Sequence, residues 1–94
     1  MFLRLVQFTL SEDGRSQAQS MADDLIPAIK QQPGCVHAAF FGGGPDGESG
    51  LCVFWDSQES ANSAAAVISP RLEQHLQGKV AAAPVRRLLP VLAS

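Results

Sequence analysis

The stretch Phe40–Trp55, FFGGGPDGESGLCVFW, decides how the rest of the chain is read. Gly42, Gly44 and Gly47 spell G-x-G-x-x-G, a pattern that can cradle a dinucleotide pyrophosphate. Such a cradle needs a strand entering the loop and a helix leaving it, so that helix N-terminal amides face the anion. Here the exit is Leu51-Cys52-Val53-Phe54-Trp55, which is short, apolar and aromatic and reads as a strand. Pro45-Asp46-Gly47 at the centre is turn chemistry, with Pro presetting φ and Gly accepting a positive one. The stretch reads as a long hairpin loop with its apex near Asp46, joining two strands.

Working outward, CVHAAFF (35–41) is the strand that enters the loop and residues 50–55 the strand that leaves it. Upstream, residues 2–9 place Phe2, Val6 and Phe8 on one face and Leu3 and Leu5 on the other, the pattern of a strand covered on both sides. Ser11-Glu12-Asp13 is rich in helix-starting residues. Ala18, Met21, Ala22, Leu25, Ile26 and Ile29 then recur at helical spacing, with Pro27 expected to kink the helix and Pro33-Gly34 to stop it. Downstream, Asp56 is the expected cap of a second helix, with Glu59 three residues later. That helix carries Ala61, Ala64, Ala65, Ile68, Leu72 and Leu76; Ser69-Pro70 is expected to break it in two, and Gly78 to end it. VRRLLPVL (85–92) is a last strand, placed at a sheet edge because Pro90 cannot donate to a ladder.

The order is β-α-β-β-α-β. Short connections and right-handed crossovers lead to a ferredoxin-like α+β sheet of four antiparallel strands with both helices on one face. The other face still carries apolar residues, so a second copy of the chain is its expected cover. Composition agrees: 94 residues suit one domain, 1–94, and 46% of them are apolar against 17% charged, too apolar for one small core. The net charge of −2 and scattered Lys and Arg leave no electrostatic footprint for nucleic acid. No apolar run reaches the ~18 residues of a membrane span, and the start, MFLRLVQFTL, lacks a signal-peptide pattern. With the apex at Asp46, Cys35 and Cys52 sit too far apart along the ladder to bridge, so free thiols and a cytoplasmic setting are expected.

Pro33-Gly34-Cys35-Val36 entering the second strand, and VFWDSQESA (Val53–Ala61), where a strand-ending Trp precedes a capped helix, carry a resemblance. With the β-α-β-β-α-β order, the chain resembles the dimeric α+β barrel superfamily and, within it, the antibiotic-biosynthesis-monooxygenase-like domains. The resemblance implies a homodimer whose sheets pack face to face, and a pocket in each subunit between sheet and helices. It also implies oxidation of compact quinol- or anthrone-like aromatics by O₂ with no metal, flavin or other cofactor. Haem-degrading relatives would place an Asn near Val6, a Trp at Ala64 and a His near His75; the first two are missing and His75 is one residue out of register. Quinol- and anthrone-oxidising relatives can place an Asn four residues before the strand-ending Trp, where this chain has Leu51. Trp55 alone survives of that constellation.

Four residues are candidates for a site. Trp55 either stacks on an aromatic substrate or anchors packing. His37 faces Trp55 if the apex is at Asp46, and there is either a general base near neutral pH or a structural or dimer-interface histidine; a one-residue slip sends it to the other face. Arg4, on an apolar strand, needs a bound anion, a carboxylate partner or a route to solvent. His75 is a possible ligand contact or a half-exposed helix-end residue that complements the helix dipole. Asn62 and Ser63 are assigned to solvent. Cys35-x-His37 is too sparse for zinc, and Gly47-Glu48-Ser49-Gly50 lacks the spacing and helix of a nucleophile elbow. The two function classes are therefore a cofactor-independent monooxygenase acting on a compact aromatic, and a non-catalytic ligand-binding or dimerising domain of the same fold.

Overall fold

A computed structural model describes residues 1–44 and 46–94; Pro45, assigned above to the turn, lies outside the described residues. The elements are β1 (Phe2–Leu10), α1 (Glu12–Arg15), α2 (Ala18–Lys30), β2 (Cys35–Phe41), β3 (Glu48–Trp55), α3 (Gln58–Leu76) and β4 (Val80–Pro90). The sheet order is β2-β3-β1-β4, with antiparallel pairing throughout, which is the ferredoxin-like α+β arrangement.

Alternation along β1 sets the two faces. Val6, Phe8 and Leu10 are buried under the helices while Gln7 is exposed, and Leu3 and Leu5 are half-buried on the opposite face. From β3, Leu51, Val53 and Trp55 join the buried set, and the helices close it with Met21, Leu25 and Ile29 from α2 and Ala61, Ala64, Ile68, Leu72 and Leu76 from α3. The helix-free face keeps large apolar side chains in the open: Phe41 is 39% exposed, Val85 55% and Leu89 42%.

The loop after β2 does turn the chain into a strand: β3 begins at Glu48 and no helix follows the glycines. The positive φ values fall at Gly43 and Gly47, not at Gly42 and Gly44. Gly47 also donates its N–H to Gly44 O and accepts from Leu10 N, tying the loop to β1.

Several boundaries differ from expectation. The first helical region is two helices, because the turn closed by Gln17 N–H to Gly14 O separates α1 from α2. Ser11 caps α1, its side chain accepting from Gly14 N. The cap of α3 is Ser57, which accepts from Ser60 N at 3.0 Å, and not Asp56. Pro70 does not break α3. A proline removes one N–H, and the carbonyl it would have bonded belongs to Ala66, which is exposed and can be solvated. Pro27 likewise lies within an uninterrupted α2. β4 starts five residues earlier than its apolar pattern suggests, as Ala81-Ala82-Ala83-Pro84 lacks the β-branched residues that advertise a strand. It is the edge strand that Pro90 requires.

Candidate ligand cavity beside Trp55

Trp55 closes β3, opposite Phe2 on one side and Cys35 on the other, so its indole lies under the helices. It is 3% exposed, yet its Nε1–H has no acceptor. Arg4 comes from β1, beside Val53, on that same buried face. Arg86 comes from β4, opposite Val6. Above them α3 presents Ala61, Ala64 and Ala65, whose short side chains leave space where larger ones would fill it. The result is a cavity of about 50 Å³ between the sheet and α3. Its lining side chains that reach solvent are Arg4 and Arg86 from the sheet and Ala65 and Ser69 from α3, and these mark the mouth. The volume exceeds the ~10–15 Å³ needed by one water but is short of the ~150 Å³ that takes a benzene, so a ring would fit only with the mouth side chains moved aside.

The polar groups are almost all donors. Arg4 donates from Nη2 to Asn62 Oδ1 at 3.1 Å, while its Nε is buried without an acceptor. Among the described residues Arg4 has no carboxylate partner. Arg86 reaches Glu73 Oε1 at 3.5 Å, a loose pair. Burial, and then the nearby Arg86 guanidinium, pull the Arg4 pKa down; an arginine starts so high that it stays a cation. A buried donor without a partner costs about 1–3 kcal/mol. The two side chains that carry one, Arg4 and Trp55, both line the cavity.

Of the candidates from sequence, Trp55 and Arg4 meet at this cavity and the two histidines do not. His37 pairs with Phe54, its ring 6.4 Å from that of Phe54, on the helix-free face. The β2–β3 register is one residue off the expected one: Ala38 faces Val53 and Phe40 faces Leu51. A single step exchanges the faces, and an irregularity between Cys35 and His37 sets Cys35, in place of His37, opposite Trp55. His37 therefore lies across the sheet from Trp55 and not beside it. His75 Nε2 lies 2.7 Å from Asp24 Oδ2, in a surface cluster with Arg71 that fastens α2 to α3. Those two partners, Arg71 first, hold the Asp24 carboxyl well below the usual carboxylate range. Cys35 and Cys52 are both free, and burial pushes the Cys35 thiol up.

Asn62 and Arg86 are the residues sequence reasoning missed. Arg86 had a signal: in a strand that pairs with the first, adjacent Arg86 and Arg87 must point to opposite faces, one of them toward the helices. Asn62 had none, since only the fold brings it to Arg4. Val6, Leu51 and Ala64, where the resemblance looks for Asn, Asn and Trp, all line the cavity, and here they are its apolar walls. A wider trough of about 610 Å³ passes Pro70, Gln77 and Pro84, but it has no aromatic side chain among its described lining residues. No group of three or more His, Cys, Asp or Glu that could hold a metal ion occurs among the described residues.

No family model and no curated protein sequence matches the chain. Solved structures do. Rv0793 from Mycobacterium tuberculosis superposes with a TM-score of 0.84 at 15% identity, over 99% of this chain and 96% of that one. An antibiotic biosynthesis monooxygenase gives 0.83 at 15% identity, over 99% and 100%. SnoaB, a cofactor-independent oxygenase from Streptomyces nogalater, gives 0.79 at 14% identity, over 99% and 94%. The chain has the ferredoxin-like α+β fold of the antibiotic-biosynthesis-monooxygenase-like proteins. Identities this low carry the fold and not the substrate.

Proposed function

We propose that the chain is a small-molecule enzyme of the cofactor-independent monooxygenase kind, acting on a compact, quinol- or anthrone-like aromatic. The observation that carries this is the cavity itself, an apolar space walled by the chain's single Trp. A flat ring there would lie against the Trp55 indole, a contact worth ~0.5–1.5 kcal/mol beyond area burial. For an anthrone-like substrate the chemistry balances without an added reductant: one oxygen atom of O₂ turns a ring methylene into a carbonyl, and the other leaves as water with the two hydrogens. The protein's part is to bind, orient and exclude bulk water around the electron-rich carbon. We place this activity in a homodimer, the sheet face with Phe41, Val85 and Leu89 covered by a second copy, and in the reducing cytoplasm that two free thiols suit.

One observation favours a second reading, a binding domain without chemistry: no His, Asp, Glu, Lys or Cys is among the described residues that line the cavity. A single experiment separates the two. Quinols, naphthols and anthrone, each alongside a ring-carboxylated counterpart, are titrated while Trp55 emission and oxygen uptake are followed together. Saturable quenching with uptake, both lost in Ala65→Phe, which fills the cavity, supports the enzyme. Quenching without uptake supports the carrier. Unchanged emission across the set removes the cavity as a ligand site.

A further inference from the structure

We propose that the cavity takes its aromatic ligand as a pre-formed anion, a ring carrying a carboxylate or an ionised hydroxyl, held by Arg4 and Arg86. This rests on the reading above that a compact ring binds beside Trp55.

Three observations converge. Among the described residues the cavity lining holds two guanidinium groups and no carboxylate, and Glu73 pairs with Arg86 alone, at 3.5 Å. Arg4 and Trp55 each keep a buried N–H with no acceptor, so the site is short of acceptors and not of donors. Asn62 spends its carbonyl on Arg4 Nη2 at 3.1 Å, which fixes the guanidinium without neutralising it. A carboxylate or phenolate oxygen supplies what is missing: negative charge and an acceptor for the two guanidinium groups. A neutral ring would meet the guanidinium through its π face alone and leave Arg4 Nε unpaired.

The same lining explains why the ligand must arrive ionised. Among the described residues it holds no side chain that takes a proton near neutral pH; an arginine does not. Arg4 and Arg86 are then binding residues, and Asn62 is a positioning residue that acts through Arg4. Selection is by charge state. An aromatic that is largely neutral at the working pH binds poorly, whatever the fit of its ring.

Calorimetry at fixed pH with matched pairs tests this. Benzoate is compared with benzamide, and 4-nitrophenol, held alkaline enough to be the phenolate, with 4-nitroanisole. At least about a tenfold preference for the charged member is expected, the scale of one hydrogen bond to a charged group. The pair that shows the preference identifies the anion as carboxylate or phenolate. Arg4→Met should lower the ratio several-fold, through a loss of affinity for the charged member much larger than any change for the neutral one. Should Arg4→Met fail to fold by circular dichroism, Arg86→Met and Asn62→Ala take its place, each expected to lower the ratio. Equal affinity for charged and neutral members overturns the anion assignment and leaves the cavity reading standing. A preference that survives in every folded variant overturns it too. Binding of no ring, charged or neutral, ends both.

Discussion

Asp24 joins the two long helices at a single residue: its carboxylate accepts from Arg71 Nε at 3.0 Å and lies 2.7 Å from His75 Nε2. Its folded-state pKa lies below the ordinary value, so the stabilisation it gives is fully present above the normal carboxylate range. It is lost as pH falls toward the folded-state value. Asp24→Asn should therefore flatten the loss of stability on acidification below about pH 4, as read from urea midpoints across the acid range. The pair is exposed, so added salt should shrink the difference. An acid limb unchanged in Asp24→Asn would mean that other carboxylates set it. Gly47 is a second residue with a sharp consequence. Its φ is +81°, and a Cβ there would collide with the Leu10 carbonyl, whereas a Cβ at Gly43, at φ +88°, would meet nothing within 4 Å. Gly43→Ala should cost about 1–2 kcal/mol for the left-handed backbone alone. Gly47→Ala should cost clearly more in denaturant unfolding. The reverse order would contradict the hydrogen bond that ties the loop to β1.

At the scale of elements, α3 is the one under tension between sequence and fold. It runs through Pro70 because Leu72 and Leu76 beyond it are buried at 2% and 4% exposure, and the single lost backbone bond lies on the solvent side. Pro70→Ala should thus stabilise the chain by up to ~3 kcal/mol, seen as a raised urea midpoint; a lowered midpoint would mean that the proline ring packs against something. Most of the fold was legible in the sequence because the periodicities are strong: Val6, Phe8 and Trp55 point as their alternation requires. Besides the helix boundaries, two things were not legible. The Ala81–Ala83 run has no β-forming side chain to announce its strand, and its pairing comes from β1 alone. Register was the other, since a sixteen-residue sequence with several glycines does not fix its own apex to within one position. That one position carried His37 from the site to the opposite face. The cavity's place could be read, as a small-residue helix stripe above a strand-ending Trp, and Arg4 with it, but Asn62 could not. Asn62 meets Arg4 across 58 residues of chain, a contact that exists only once β1 and α3 are assembled.

For the whole molecule, an antiparallel sheet can leave one face to water, but this one leaves Phe41, Val85 and Leu89 there, with Leu3, Leu5 and Phe54 half-buried among them. A homodimer that covers this face is the expected state at micromolar concentration, and Phe41→Asp with Leu89→Asp should shift sedimentation toward the monomer. A wild-type chain that sediments as a monomer and binds no hydrophobic dye would contradict the dimer. Covering that face leaves the cavity on the far side of the sheet in each subunit, so each subunit should bind ligand independently. The central claim is the location of the site, between the sheet and α3 rather than on the helix-free face. Amide and indole chemical-shift mapping of the labelled protein on addition of benzoate tests it most directly. Trp55 is the only Trp, so its Nε1–H gives one resonance that reports the cavity without ambiguity. The predicted result is a large shift of that indole resonance together with Arg4, Val53, Ala61 and Ala65. Shifts confined to Leu3, His37, Phe54 and Val85, with the indole unmoved, would contradict it.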